Sequence, residues 1–178
     1  MAFADPILAL REFNLHPGET VADFGAGAGD YTFAVARAVS PDGCVYPVEI
    51  QKQILERITR EAGRLNLRNV RPLWGDIETA GGVKLADHSV DKVIVANVLF
   101  QIENKSVFVN EVKRILHPGG RVLIVDWSGS FAGLGPAEAE VVKQSSAEDL
   151  FTQAGFLKIK NFSVGDYHYG LILAKDTH

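Results

Sequence analysis

The sequence predicts an α/β domain: a mostly parallel sheet of seven strands, helices on both faces, and one antiparallel strand near the end. Three observations carry this. Short apolar runs alternate with stretches of helical period from Val21 to about Asp126. The first run, Val21 to Phe24, passes through glycines at alternate positions (Gly25, Gly27, Gly29) straight into a helical segment. The chain then closes with two apolar runs joined by Gly165-Asp166, the pattern of an antiparallel hairpin.

Taken in order, Asp5-Pro6 reads as an N-cap and first-turn proline, opening a short helix to about Phe13. Leu15-His16-Pro17-Gly18 breaks it and delivers the first strand. A helix follows over Tyr31–Val39, then a strand over Cys44–Ile50, where Pro47 cannot donate to a ladder and predicts a local irregularity. Gln51 to Leu65 places Ile54, Leu55, Ile58, Ala62 and Leu65 on one helical face. Strands are expected at Val70–Trp74 and Val90–Ala96, and an amphipathic helix through Val107, Phe108, Val112, Ile115 and Leu116.

His117-Pro118-Gly119-Gly120 stops that helix and Arg121–Asp126 forms the fifth strand. His117 reads as a residue complementing the helix dipole, and His88 as a solvated loop residue. Trp127 to about residue 144, rich in Gly, Ala and Ser, reads as a loop over one end of the sheet. Ser145 with Glu148 resembles a capping box for a helix ending near Gly155, and strands at Phe156–Phe162 and Tyr167–Ala174 finish the chain.

Composition sets the outer limits. At 178 residues, one domain spanning 1–178 can bury a full core, and 47% hydrophobic with 22% charged residues is the balance of a soluble globular protein. No apolar run approaches a membrane span, the first six residues lack the regions of a secretory signal, and Cys44 is the single cysteine. A cytoplasmic location is therefore expected. A net charge of −4 with no Lys/Arg block weighs against a nucleic-acid or anionic-membrane partner. No metal-ligand cluster stands out.

Strand, glycine turn, helix is a geometry in which backbone approaches a ligand closely, because glycine has no Cβ and tolerates positive φ. The helix start adds unpaired N–H groups and partial positive charge. In an open α/β sheet such a turn lies beyond the carboxyl ends of the strands. Acidic or amide residues then recur at the ends of successive strands: Asp23, Glu49, Asp76 and Asn97. A carboxylate is acceptor-only, so these acidic side chains suit a ligand that presents hydrogen-bond donors.

With these residues in hand, the chain resembles the class I (Rossmann-like) S-adenosylmethionine-dependent methyltransferases over nearly its whole length. Asp23-Phe24-Gly25-Ala26-Gly27-Ala28-Gly29 fits that family's acidic-x-Gly-x-Gly-x-Gly loop, which wraps the methionine part of the cofactor. The resemblance implies that Asp23 orients that part and that Glu49 binds both ribose hydroxyls. It places Ile50 against the adenine, and Gly75-Asp76-Ile77 as the segment whose carboxylate takes the adenine amino group. Asn97 matches the position facing the methyl donor, and Leu116-His117-Pro118-Gly119-Gly120 matches the structural turn before strand five. The implied strand order is 3-2-1-4-5-7-6, the implied cofactor is S-adenosylmethionine, and S-adenosylhomocysteine is the product.

The methyl acceptor is expected at the carboxyl edge, contacted by Phe100, Gln101, Trp127 and Tyr167, with Asp126 and His168 as candidate bases. Asn97-Val98-Leu99-Phe100 has the ends of the DNA amino-methyltransferase motif but neither proline, and one cysteine is too few for the family's arsenite chemistry. The region from Asn97 to Trp127 is most like the quinone-biosynthesis group, so a small-molecule acceptor is expected, for a monomer or homodimer. Residues 1–16 amount to a lid of about one helix. A nicotinamide oxidoreductase fits less well: its third glycine falls one position later, and Asp30 would meet a pyrophosphate. A cofactor-binding sensor or partner subunit without turnover would use the same binding residues.

Overall fold

The computed structural model describes residues 6–131 and 134–177; the Asp5 cap and His178 fall outside them. Its elements are α1 (Pro6–Phe13), β1 (Thr20–Phe24), α2 (Asp30–Val39), β2 (Cys44–Glu49), α3 (Lys52–Arg64), β3 (Leu73–Trp74) and β4 (Val90–Ala96). A 3-10 turn over Leu99–Gln101 leads to α4 (Lys105–Ile115), β5 (Leu116–Trp127), α5 (Gln144–Gln153), β6 (Phe156–Val164) and β7 (His168–Lys175). The seven strands lie in the order β3-β2-β1-β4-β5-β7-β6, as the resemblance implies. All neighbours are parallel except β7, which runs antiparallel to both β5 and β6.

Alternation along each strand builds two cores. Ala22, Phe24, Val93, Val95, Val122 and Ile124 face α4 and α5, where Phe108, Val112, Ala147 and Phe151 complete the packing. Val21, Ile94, Leu123, Val125 and Ile172 face the opposite side, under α1 and α2. Central strands buried on both faces are what near-continuous apolar runs produce.

Several local features differ from the sequence reading. Pro47 stays in β2, and its missing donor falls on the β3 side, where pairing thins to a bridge at Val45–Val70 and resumes only at Val48–Leu73. The third strand accordingly shrinks from Val70–Trp74 to Leu73–Trp74. His117 to Gly120 do stop α4, yet they loop out within β5: Val90 pairs with Leu116, and Lys92 next pairs with Arg121. His117 thus belongs to this excursion rather than to the helix end. The residue there instead is Lys175, whose ammonium donates to the carbonyls of Lys113 and Leu116 at 2.7 Å each. His88 is not simply solvated, since its Nδ1 lies 3.1 Å from the Leu116 carbonyl oxygen. Ser145 makes no capping box, because α5 begins at Gln144, capped by Lys143 without a side-chain bond.

Among the described residues no helix is long and apolar enough to cross a membrane. The connections at the carboxyl ends of β1, β2, β3 and β4 all open on one edge of the sheet, and the cavity lies there.

Candidate active site

The glycine turn holds φ values of 67° at Gly25, 49° at Gly27 and 88° at Gly29, and Asp30 then opens α2. The Gly25 amide donates to the Val48 carbonyl at 2.9 Å, tying the turn to β2. A Cβ on Gly25 would lie 2.5 Å from Val98 Cγ2, so only glycine lets the β4 connection close over the turn. A Cβ on Gly27 would come no nearer to protein than 3.8 Å. That backbone is bare towards open space, which is what a ligand cradle requires.

Around this turn opens a cavity of about 550 Å³, within the range of small-molecule sites. Asp23, Gly25, Ala26, Gly27, Glu49, Ile50, Asp76, Ile77 and Asn97 all line it. Gly29 does not; it forms the N-cap of α2 and packs near Phe33 and Ile58. Glu49 accepts the amides of Ile50 and Gln51 on Oε1 at 2.9 and 3.2 Å, which orients the carboxylate and leaves Oε2 without a bond to the described residues. Asp76 is held by the Glu78 amide at 2.9 Å and the Thr79 hydroxyl at 2.6 Å. Asn97 takes a left-handed backbone, φ 56°, and its Oδ1 is buried with no partner among the described residues.

Asp23 is 2% exposed, on the α2 face, where the Thr32 hydroxyl donates to its Oδ2 at 2.5 Å. Burial pushes its carboxyl up to about 6, and the negative charges of Glu49 and Asp30 push the same way. Five carboxylates line the cavity in all (Asp23, Asp30, Glu49, Asp76, Glu78), and no Lys, Arg or His does so among the described residues. Such a lining favours a cationic ligand rich in N–H and O–H donors and opposes a pyrophosphate. A cofactor bearing an ammonium, a sulfonium, two ribose hydroxyls and an adenine amine fits it.

On the acceptor side the picture is mixed. Gln101 lines the cavity; Phe100, in the same 3-10 turn, does not. Asp126, expected as a base, is wholly buried and bonded to backbone amides, and the structure does not bring it into the cavity lining. Trp127, Tyr167 and His168 lie on the same rim, with Trp127 opposite His168 in the β5–β7 register, but outside the cavity lining. Trp127 stacks on His168 at 4.3 Å between centroids, and Phe131 meets Tyr167 at 4.6 Å. Burial lowers the His168 pKa, and neither ring nitrogen has a hydrogen-bond partner among the described residues.

Sequence reasoning missed Pro6, Tyr31, Gln51, Ile54 and Glu78 in the lining. Of these, Glu78 carried a readable signal. It follows Asp76 in the same loop, and its Oε2 accepts the amides of Glu103 and Asn104 at 2.8 Å each, fixing the start of α4 beside the cavity.

Comparison with known proteins agrees with this geometry. A family model described as "Methyltransferase domain" matches residues 15–167. The ubiquinone/menaquinone biosynthesis C-methyltransferase UbiE of Burkholderia multivorans is 35% identical over 120 residues, covering 67% of this chain and 47% of that protein. An arsenite methyltransferase of Halobacterium salinarum is 36% identical over 110 residues, covering 62% of this chain and 27% of that protein. The chain thus spans less than half the length of either relative. A SAM-dependent methyltransferase from Aquifex aeolicus superposes with a TM-score of 0.88 at 28% identity, covering 96% of this chain and 89% of that one. With the family model spanning most of its length, the chain belongs to the class I S-adenosylmethionine-dependent methyltransferases.

Proposed function

We propose that the cavity binds S-adenosylmethionine and that the protein transfers its methyl group to a small-molecule acceptor by in-line displacement. The observation that carries this reading is the lining itself, a glycine cradle and five carboxylates with no Lys, Arg or His among the described lining residues; Arg57, outside the lining, donates to the Gly27 carbonyl at 3.3 Å. Glu49 takes the ribose hydroxyls, Ile50 and Ile77 flank the adenine, and Asp76 takes its amine. Asp23 and the turn Gly25-Ala26-Gly27 hold the methionine part, with Gly29 setting the start of α2. When bound, the cofactor supplies an electrophilic methyl group on sulfur, so the protein has mainly to align the acceptor and exclude water. Asn97 and Gln101 stand where β4 meets that end of the cavity.

Trp127, Tyr167 and His168 form the acceptor rim in this reading. His168 stays neutral at pH 7, because burial lowers its pKa, and a neutral imidazole can take a proton from an incoming hydroxyl or amine. The relatives are named for quinone precursors and for arsenite. The single cysteine argues for the first kind of acceptor: Cys44 is buried at the amino end of β2, the opposite end from Glu49.

Calorimetric titration with S-adenosylmethionine and with NAD tests the cofactor, and binding of the first alone is expected. Incubation with labelled S-adenosylmethionine and a panel of phenolic, quinol and amine metabolites then tests turnover, read as S-adenosylhomocysteine. Tight binding with no turnover on any fraction of a cell extract would favour a sensor or partner subunit instead.

A further inference from the structure

Asp126 is buried completely at the carboxyl end of β5, and the lining of the cavity does not include it. Its Oδ2 accepts the Leu99 amide at 2.9 Å and its Oδ1 the Trp127 amide at 2.8 Å, and the Val98 amide lies close enough to act on its charge. Val98 and Leu99 open the 3-10 turn that ends β4, where backbone donors have no partner within the turn. Asp126 therefore caps this turn from the neighbouring strand.

What the turn carries is the wall of the cofactor cavity. Asn97, Val98, Gln101 and Ile102 line the cavity, and the Val98 methyl occupies the space over Gly25 that any Cβ would need. Asn97, immediately before, holds a left-handed backbone that costs energy in a non-glycine residue and persists only when its surroundings impose it. Its amide is fixed by the Val125 carbonyl of β5 at 2.8 Å, one residue before Asp126.

We infer that Asp126 is a positioning residue for cofactor binding: by holding the Leu99 amide at the start of the 3-10 turn, it seats Val98 on the glycine turn and sets the Asn97 side chain at the methyl-donor end. It touches neither cofactor nor acceptor. A carboxylate suits the task because several N–H donors converge on it, and an amide would turn its own N–H₂ towards one of them. The other titratable groups facing it are Lys105, whose ammonium donates to the Ile102 carbonyl, and Tyr169, whose hydroxyl donates to the Val142 carbonyl. Both are engaged elsewhere, so the carboxylate is left to the amides.

The inference rests on the cofactor reading above, and the test separates the two. S-adenosylmethionine affinity is measured by calorimetry on folded wild type, Asp126→Asn, Val98→Ala and the double variant, with the melting temperature of each recorded. Wild-type binding is expected, with about a tenfold or greater loss in Asp126→Asn and about fivefold or more in Val98→Ala. The double variant should lose much less than the product of the two, because both changes release one contact on Gly25. No binding by the wild type removes the cofactor reading and this inference with it. A wild type that binds, beside an Asp126→Asn variant that melts lower but binds within twofold, overturns the inference alone. Should Asp126→Asn not fold, unchanged affinity in Val98→Ala overturns it as well.

Discussion

Asp23 shows how a single carboxylate links stability to binding. Its folded pKa of about 6 stands above the ordinary 3.8, so its contribution to stability is fully present below 3.8 and is lost as pH rises through 6. Ionised at pH 7.5 in the ligand-free protein, it is a cost to the fold. Asp23→Asn should therefore melt higher than wild type at pH 7.5, with the gain shrinking at pH 4.5, as differential scanning fluorimetry would show. The cationic cofactor favours the ionised form, so its affinity should fall as pH drops below 6, by at most about tenfold per unit for one proton. Asp23→Asn should flatten that dependence and bind more weakly at pH 7.5. An unchanged pH profile in the variant would take Asp23 out of the site. Glu49 acts through geometry, with Oε1 tethered by two amides. Hydrogen bonds to a charged acceptor contribute about 1.5–3 kcal/mol, so Glu49→Ala should weaken S-adenosylmethionine binding roughly tenfold or more in calorimetry. Residue identity made Asp23, Glu49, Asp76 and Asn97 readable because each ends a strand. The same rule could not show that Asp126 is buried on backbone amides, since a strand-end carboxylate can serve backbone donors as well as ligands.

At the level of elements, the glycine turn separates protein packing from ligand packing. Gly25→Ala drives a Cβ to 2.5 Å from Val98, so it should disturb both the fold and the site. Gly27→Ala meets no protein atom closer than 3.8 Å, and its cost to the free protein is limited to the positive φ, roughly 1 kcal/mol. Cofactor affinity in Gly27→Ala should nevertheless drop tenfold or more, a split between melting temperature and binding that calorimetry resolves. Equal losses of stability and affinity in the two variants would argue that the turn is merely structural. Long periodic elements were legible: α2, α3, α4 and β4 lie within one residue or two of where apolar spacing puts them. Elements shaped by partners were not. β3 is cut short because Pro47 of the adjacent strand lacks a donor, and the His117–Gly120 excursion hides inside β5.

For the molecule as a whole, the order of strands brings the ends of β1, β2, β3 and β4 to one cavity, and the antiparallel β7 brings His168 back to Trp127 on the same rim. Five apolar runs alternating with helical stretches, then a terminal hairpin, made this topology legible. The aromatic group of Trp127, Phe131, Tyr167 and His168 was not, because it depends on a loop that folds over Trp127, where a Cβ on Gly135 would lie 2.6 Å from the indole. One cleft is expected to hold a nucleoside between the glycine turn and Glu49. A crystal structure with S-adenosylhomocysteine should show both ribose hydroxyls on the Glu49 carboxylate and the amino-acid end along Gly25–Gly27. A nucleoside bound elsewhere, or Glu49 turned away from the sugar, would contradict it.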